Sequence, residues 1–99
     1  MAQMKVTEAI NRLIEIMQKY EPRKAIISQL ETQGIIVDEV ADYNHESASL
    51  GIKSVLFKGG KKMEIHSAIY QDLSPQKEME GHYAFMQDAL FKHIDQLLK

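Results

Sequence analysis

Apolar positions change period along this chain, from helical to alternating and back to helical, and the changes mark out its elements. Val6, Ile10, Leu13, Ile14, Met17 and Tyr20 follow at intervals of 4, 3, 1, 3 and 3. That spacing is one stripe of a helix turning about every 3.6 residues. Thr7, with Glu8 close behind, is placed to cap its start. Pro22 suits the first turn of a second helix, where its missing N–H has no intrahelical partner, and Glu21 favours the positive helix end. Ile26, Ile27 and Leu30 form the buried face of this helix, leaving Arg23, Lys24, Ser28, Gln29, Glu31 and Gln33 to solvent. Gly34 supplies the left-handed residue that commonly closes a helix.

Beyond Gly34 the period drops to two. "IIVDEVADY" is β-branched and roughly alternating, "NHESAS" is a polar loop, and "LGIKSVLF" and "KKMEIHSAIY" flank Gly59-Gly60. A two-residue hairpin turn with φ > 0 at its central positions fits that Gly pair. The turn sets a register in which Leu56 faces Met63, Ser54 faces Ile65, Ile52 faces Ser67 and Leu50 faces Ile69, all on the core face. The opposite face takes Val55, Phe57, Ala68 and Tyr70 together with Lys53, Lys62, Glu64 and His66, giving an antiparallel sheet buried on one side. The neighbouring carboxylates Asp38 and Glu39 then point to opposite faces and cannot cooperate directly.

Ser74-Pro75 is an N-cap and first-turn pair for a long final helix, in which Met79, Tyr83, Met86, Leu90, Ile94 and Leu97 recur at 4, 3, 4, 4 and 3. Phe85, Phe91 and Leu98 widen its apolar arc beyond what one sheet face needs, which points to a second chain on Phe85, Phe91 and Leu98. The expected fold is α+β in the order α-α-β-β-β-α, a three-stranded antiparallel meander with helices packed on one face. No repeat, linker or low-complexity tract divides the chain, so residues 1–99 are read as one domain.

Composition narrows the function classes. Hydrophobic residues at 44% and charged residues at 26% are ordinary globular values. With no cysteine there is no disulfide framework, thiolate metal site or thiol nucleophile, and without a signal-like or membrane-length apolar run the expected location is the cytoplasm. The net charge of −2 opposes a protein that coats polyanions, but the charge is polarised. Glu31 to Ile52 holds five acids and no Lys or Arg, whereas Lys53 to Glu64 holds four lysines against one acid.

Leu30, Gly34, Ile35 and Ile36 make an "L-x-x-x-G-I-I" junction that resembles the end of the recognition helix and the first wing strand in winged-helix proteins. The resemblance covers some 16 residues. It implies a DNA-binding regulator in which Arg23, Lys24, Ser28 and Gln29 face the major groove. Two departures make this the second reading. The tip of the wing, "NHES", lies inside the acid-only segment, and one helix precedes the recognition helix where the family supplies two.

No other motif dictates a chemistry. Lys58, Gly59, Gly60, Lys61 and Lys62 offer converging phosphate donors but lack the spacing and following helix of a nucleotide-binding loop. Of the four histidines, His82 stands one helical turn from Glu78, and a metal could touch both. His82 and His93 share a face but stand about 16 Å apart along a helix, too far for one ion. With no "H-x-x-x-H" or "H-E-x-x-H" the histidines read as surface or half-buried side chains, and no metal or cofactor is expected. "YNHESAS" has the residue types of a nucleophilic site without a glycine-braced elbow.

The expected function is therefore a small non-enzymatic protein-binding module of the inhibitor, adaptor, immunity or phage accessory kind. Its partner surface comprises Lys53, Val55, Phe57 and His66 with Tyr70, and the hairpin lysines Lys58, Lys61 and Lys62. A homodimer through the final helix completes the expectation.

Overall fold

The computed structural model of the chain describes residues 5–98, with side chains through residue 96. Its elements run α1 (Val6–Lys19), α2 (Glu21–Thr32), β1 (Ile36–Asn44), β2 (Ser49–Lys58), β3 (Lys61–Tyr70) and α3 (Pro75–Leu98). The strands form one antiparallel meander in the order β1-β2-β3, and all three helices lie on one face of it. The α+β order and one-sided packing expected from the periodicity are those of the molecule.

The hairpin register is also the expected one, with Leu56 opposite Met63, Ser54 opposite Ile65, Ile52 opposite Ser67 and Leu50 opposite Ile69. Only Gly59 of the turn pair takes a positive φ, at 61°, so the turn uses one left-handed residue rather than two. The first hairpin pairs Val37 with Leu56, Glu39 with Ser54 and Ala41 with Ile52, and turns through residues 45–48. Asn44 Oδ1 braces that turn by accepting from the backbone N–H of Glu46 at 2.9 Å and of Ser47 at 3.1 Å.

Gly34 has φ +80° and ends α2 as expected. Its N–H donates to the Glu31 carbonyl and that of Ile35 to the Leu30 carbonyl, both at 3.0 Å, so Ile35 enters the core as the strand begins. Ser74 opens α3, its carbonyl accepting from the Glu78 N–H at 3.1 Å.

Three expectations about the helices are corrected. Lys5, in extended conformation and making no side-chain cap, precedes α1 in place of Thr7. The buried stripe of α1 is Ala9, Leu13 and Met17, while Ile14 turns outward, because α1 must contact both β1 and α3 and that wedge admits the small Ala9 side. Arg23 is not on the solvent face of α2: it folds back toward β1.

The core joins Leu13, Met17 and Leu30 to Leu50, Ile52, Leu56 and Ile65 of the sheet and to Met79, Tyr83 and Met86 of α3. Among the described residues Met86 is the last fully buried one of α3, although the helix continues to Leu98. At about 1.5 Å per residue the remaining turns project some 18 Å past it. The molecule accordingly measures 51 × 27 × 19 Å.

Gly51, in the central strand, is fixed by close approach: a Cβ there would stand 2.8 Å from the Ser67 carbonyl oxygen. Gly51→Ala is expected to lower the unfolding free energy by about 1–3 kcal/mol in chemical denaturation, since the obstructing atom is backbone and must shift with its strand.

Candidate functional site

The uncovered face of the sheet is laid out in rows by the two registers: Ile36, Phe57 and Lys62; Asp38, Val55 and Glu64; Val40, Lys53 and His66; Asp42, Gly51 and Ala68; Asn44, Ser49 and Tyr70. Ile36 is 68% exposed and Tyr70 65%, and Val40 and Phe57 are exposed as well. Glu64 sits between its neighbours, 3.2 Å from Lys53 Nζ, 3.9 Å from Lys62 Nζ and 4.0 Å from His66 Nε2. Hydrogen bonding and charge from Lys53, then the charge of Lys62, hold its carboxyl below the usual range. The absent side chain at Gly51 leaves a shallow hollow of about 400 Å³ bordered by Val40, Asp42, Lys53, His66 and Tyr70.

Of the residues expected to bind a partner, Lys53, Val55, Phe57, Lys62, His66 and Tyr70 therefore share this face. Lys58 and Lys61 have the opposite parity and lie on the helix side of the hairpin tip, where the Lys58 stem passes 4.0 Å from the Cβ position of Gly34. The expected dimer residues do not form one patch. Phe85 lines a hollow against Met63 and Ile65 of β3. Phe91, 88% exposed, borders a different groove formed with α2 by Ile26, Leu30, Leu90 and Ile94. The Leu98 side chain lies outside the described residues.

Beneath the sheet, a continuous polar chain crosses the core. Glu39, on the inner face of β1, has a side chain only 6% exposed. Three donors converge on it: Arg23 Nε on Oε1 at 2.8 Å, and Ser54 Oγ and Tyr83 Oη on Oε2 at 2.6 and 2.9 Å. Ser54 Oγ also stands 2.7 Å from His82 Nε2, whose other nitrogen, Nδ1, stands 2.6 Å from Ser67 Oγ. Ser67 Oγ in turn lies 2.5 Å from Glu78 Oε1. His82, Ser54 and Glu78 are buried, and no buried side-chain polar atom among the described residues lacks a partner.

Burial sets the protonation tendencies along this chain. It pushes the His82 imidazole down to about 4, against the attraction of the Glu39 charge. It pushes the Glu78 carboxyl up, against hydrogen bonds from Ser67 and the Ile52 backbone. It also raises the Tyr83 hydroxyl, helped by the charge of Glu39 and opposed by Arg23. For Arg23 burial acts downward, but the hydrogen bond and charge of Glu39 outweigh it and the guanidinium is held more firmly charged.

The histidines are thus not all surface or half-buried: His82 is fully enclosed, edge-on to Tyr83 at 5.0 Å. The spacing of Glu78 and His82 is the signal visible in the sequence, but Ser67 bridges them at the point a shared metal would need. Among the described residues no group of three or more His, Asp and Glu is arranged to hold a metal ion. The further clue is polar side chains at core parity, with Glu39 between Val37 and Ala41, Ser54 between Ile52 and Leu56, and Ser67 between Ile65 and Ile69.

The winged-helix residues are divided. Lys24, Ser28 and Gln29 are exposed, Lys24 pairing with Glu21 at 3.4 Å, but Arg23 is committed to Glu39 and to the Met17 carbonyl at 3.3 Å. No helix among the described residues is long and apolar enough to cross a membrane. Comparison with protein-family models, with curated proteins and with solved structures finds no match for the chain.

Two outcomes are expected. Glu39→Ala should cost about 2–4 kcal/mol in denaturant unfolding, because it strands the partly buried Arg23 and two hydroxyl donors together. Fluorescence anisotropy with a random duplex oligonucleotide should show no binding at low salt, since a groove-reading α2 would have to release Arg23 from the core. Micromolar binding with a steep salt slope would restore the DNA-binding reading.

Proposed function

We propose that this chain is a small, non-enzymatic protein-binding module that pairs with a second copy of itself through α2 and α3 and leaves its open sheet face for a further protein partner. One observation carries the proposal: Phe91 stands 88% exposed beside a groove lined by Ile26, Leu30, Leu90 and Ile94 with Gln29, Gln33 and Gln87. Among the described residues no charged side chain lines that groove, on a chain in which 26% of residues are charged. Charge depletion with an aromatic anchor is the composition of an interface centre. An aromatic knob next to an apolar socket is also self-complementary, because a two-fold axis places each knob in the other chain's socket.

The non-enzymatic part of the reading rests on access. The groups able to do acid–base work, His82, Glu78 and Ser54, are sealed between α3 and the sheet, and each is already hydrogen-bonded within the protein. On the sheet face, Asp38, Asp42 and Glu64 alongside Lys53 and Lys62 suit a protein surface better than a phosphate backbone.

Sedimentation velocity over a micromolar concentration series tests the pairing. The native chain is expected to sediment as a dimer, and Phe91→Glu as a monomer with unchanged circular dichroism, since Phe91 contributes little to the monomer's core. A native chain that stays monomeric into the hundreds of micromolar would overturn the proposal.

A further inference from the structure

The polar chain between α3 and the sheet fixes its own proton count. Ser54 and Ser67 each have one hydroxyl hydrogen to give. Glu39 receives three donors, one of them a guanidinium, so it acts there only as an acceptor and takes the Ser54 hydrogen. Ser54 Oγ must then accept at its 2.7 Å contact with His82, which places a hydrogen on Nε2. At the other end, Ser67 Oγ meets both His82 Nδ1, at 2.6 Å, and Glu78 Oε1, at 2.5 Å, and can donate to only one of them. If Ser67 donates to Glu78, Nδ1 must carry a hydrogen and His82 is an imidazolium. If Ser67 donates to Nδ1, Glu78 must carry the hydrogen as a carboxylic acid. A neutral His82 beside an ionised Glu78 would set two lone pairs face to face at one of these contacts.

We propose that Glu78 and His82 share a single proton across the Ser67 hydroxyl, and that this proton is a pH-sensitive clasp fastening α3 to the sheet. Its two forms interconvert by one concerted step. The Glu78 hydrogen passes to Ser67 Oγ as the Ser67 hydrogen passes to Nδ1, leaving the total charge of the three residues unchanged. Burial disfavours the separated charges and so favours the acid with the neutral imidazole, in line with a Glu78 carboxyl pushed up and a His82 imidazole pushed down to about 4. The remaining titratable and charged groups around the clasp are the Arg23–Glu39 pair from α2 and β1, Tyr83 on α3 with the tilted ring of Tyr20 at 5.9 Å, and His66, which acts by its charge from the outer side of β3. The Glu39 charge draws the shared proton toward His82, while burial and the charge of His66 oppose it there.

The pH window follows from counting protons. In the unfolded chain Glu78 and His82 return to their ordinary values of 4.5 and 6.5. Below 4.5 the unfolded pair holds two protons, between 4.5 and 6.5 it holds one, and above 6.5 it holds none, while the folded pair holds one from about 4, where His82 takes a second, up to the raised value of Glu78. Stability from the clasp is therefore level between those values. It declines on the acid side, where folding must expel a proton, and on the alkaline side, where folding must retain one.

Guanidinium unfolding of the full chain from pH 4.5 to 9, compared with Glu78→Gln, tests this. The side-chain amide of that variant donates to Ser67 without titrating. The ratio of native to Glu78→Gln unfolding constants is expected to rise about tenfold per pH unit, equivalent to about 1.4 kcal/mol per unit, from the ordinary Glu78 value up to its raised folded value and to level off above it. A merely structural role for Glu78 would shift that ratio without a slope, and a level ratio overturns the clasp. Should Glu78→Gln fail to fold, NMR of the native chain at pH 7 decides. A carboxyl ¹³C shift of Glu78 typical of the acid, or His82 ¹⁵N shifts showing hydrogens on both nitrogens, supports the shared proton. An ionised Glu78 with a bare Nδ1 overturns it.

Discussion

A carboxylate enclosed beneath a β-sheet has to be answered by donors, and Glu39 draws one from each of three elements outside its own strand: Arg23 from α2, Ser54 from β2 and Tyr83 from α3. Taking such a charge out of water costs several kcal/mol unless hydrogen bonds and an opposite charge compensate it. The constraint is geometric as well as energetic. α2 must approach β1 closely enough for the guanidinium to reach inward, and α3 must present Tyr83 toward β1 while His82, one residue earlier, lies over Ser54. The positions of two helices on the sheet are thereby tied to one residue of the edge strand. A purely apolar core of the same size would permit more sliding, since hydrophobic contact is not directional.

That arrangement turns the usual distribution of a small domain partly inside out. A charged pair, two serines, a histidine, a tyrosine and a second carboxyl are folded inward, while Ile36, Val40, Tyr70 and Phe91 face solvent. The chain has a limited stock of apolar residues, and polar groups at inner positions leave more of that stock for its surfaces. Exposed apolar area of this kind is characteristic of contact sites. The uncharged groove between α2 and α3 and the open sheet face are two expressions of it.

Much of the architecture could be read from one-dimensional pattern. The Gly59-Gly60 turn and the alternation around it were enough to give the β2–β3 pairing residue by residue, because a two-residue loop leaves no freedom in register. Pro22, Gly34 and Ser74-Pro75 marked helix ends for reasons that act within a few residues. The errors fell where packing outranked pattern. Ile14 belongs to the apolar stripe of α1 yet faces outward, and Arg23 looks like a surface residue of α2 yet is drawn inward by a carboxylate 16 residues away. Phe85 and Phe91, both apolar extras on α3, serve different hollows.

The sequence by itself determined the elements, their order, the meander and which strand residues share a face, since these depend on local periodicity, turn chemistry and short loops. It also excluded thiol chemistry outright. Tertiary structure alone decided that Glu39, Ser54, Ser67, Glu78, His82 and Tyr83 meet. Their hydrogen bonds join residues up to 44 positions apart, and hydrogen bonding depends on distances of a few tenths of an ångström that no spacing rule transmits. The same limit explains why His82 reads among surface or half-buried histidines: its spacing from Glu78 defines a shared face, but only the strand beneath them supplies the serine that joins the two.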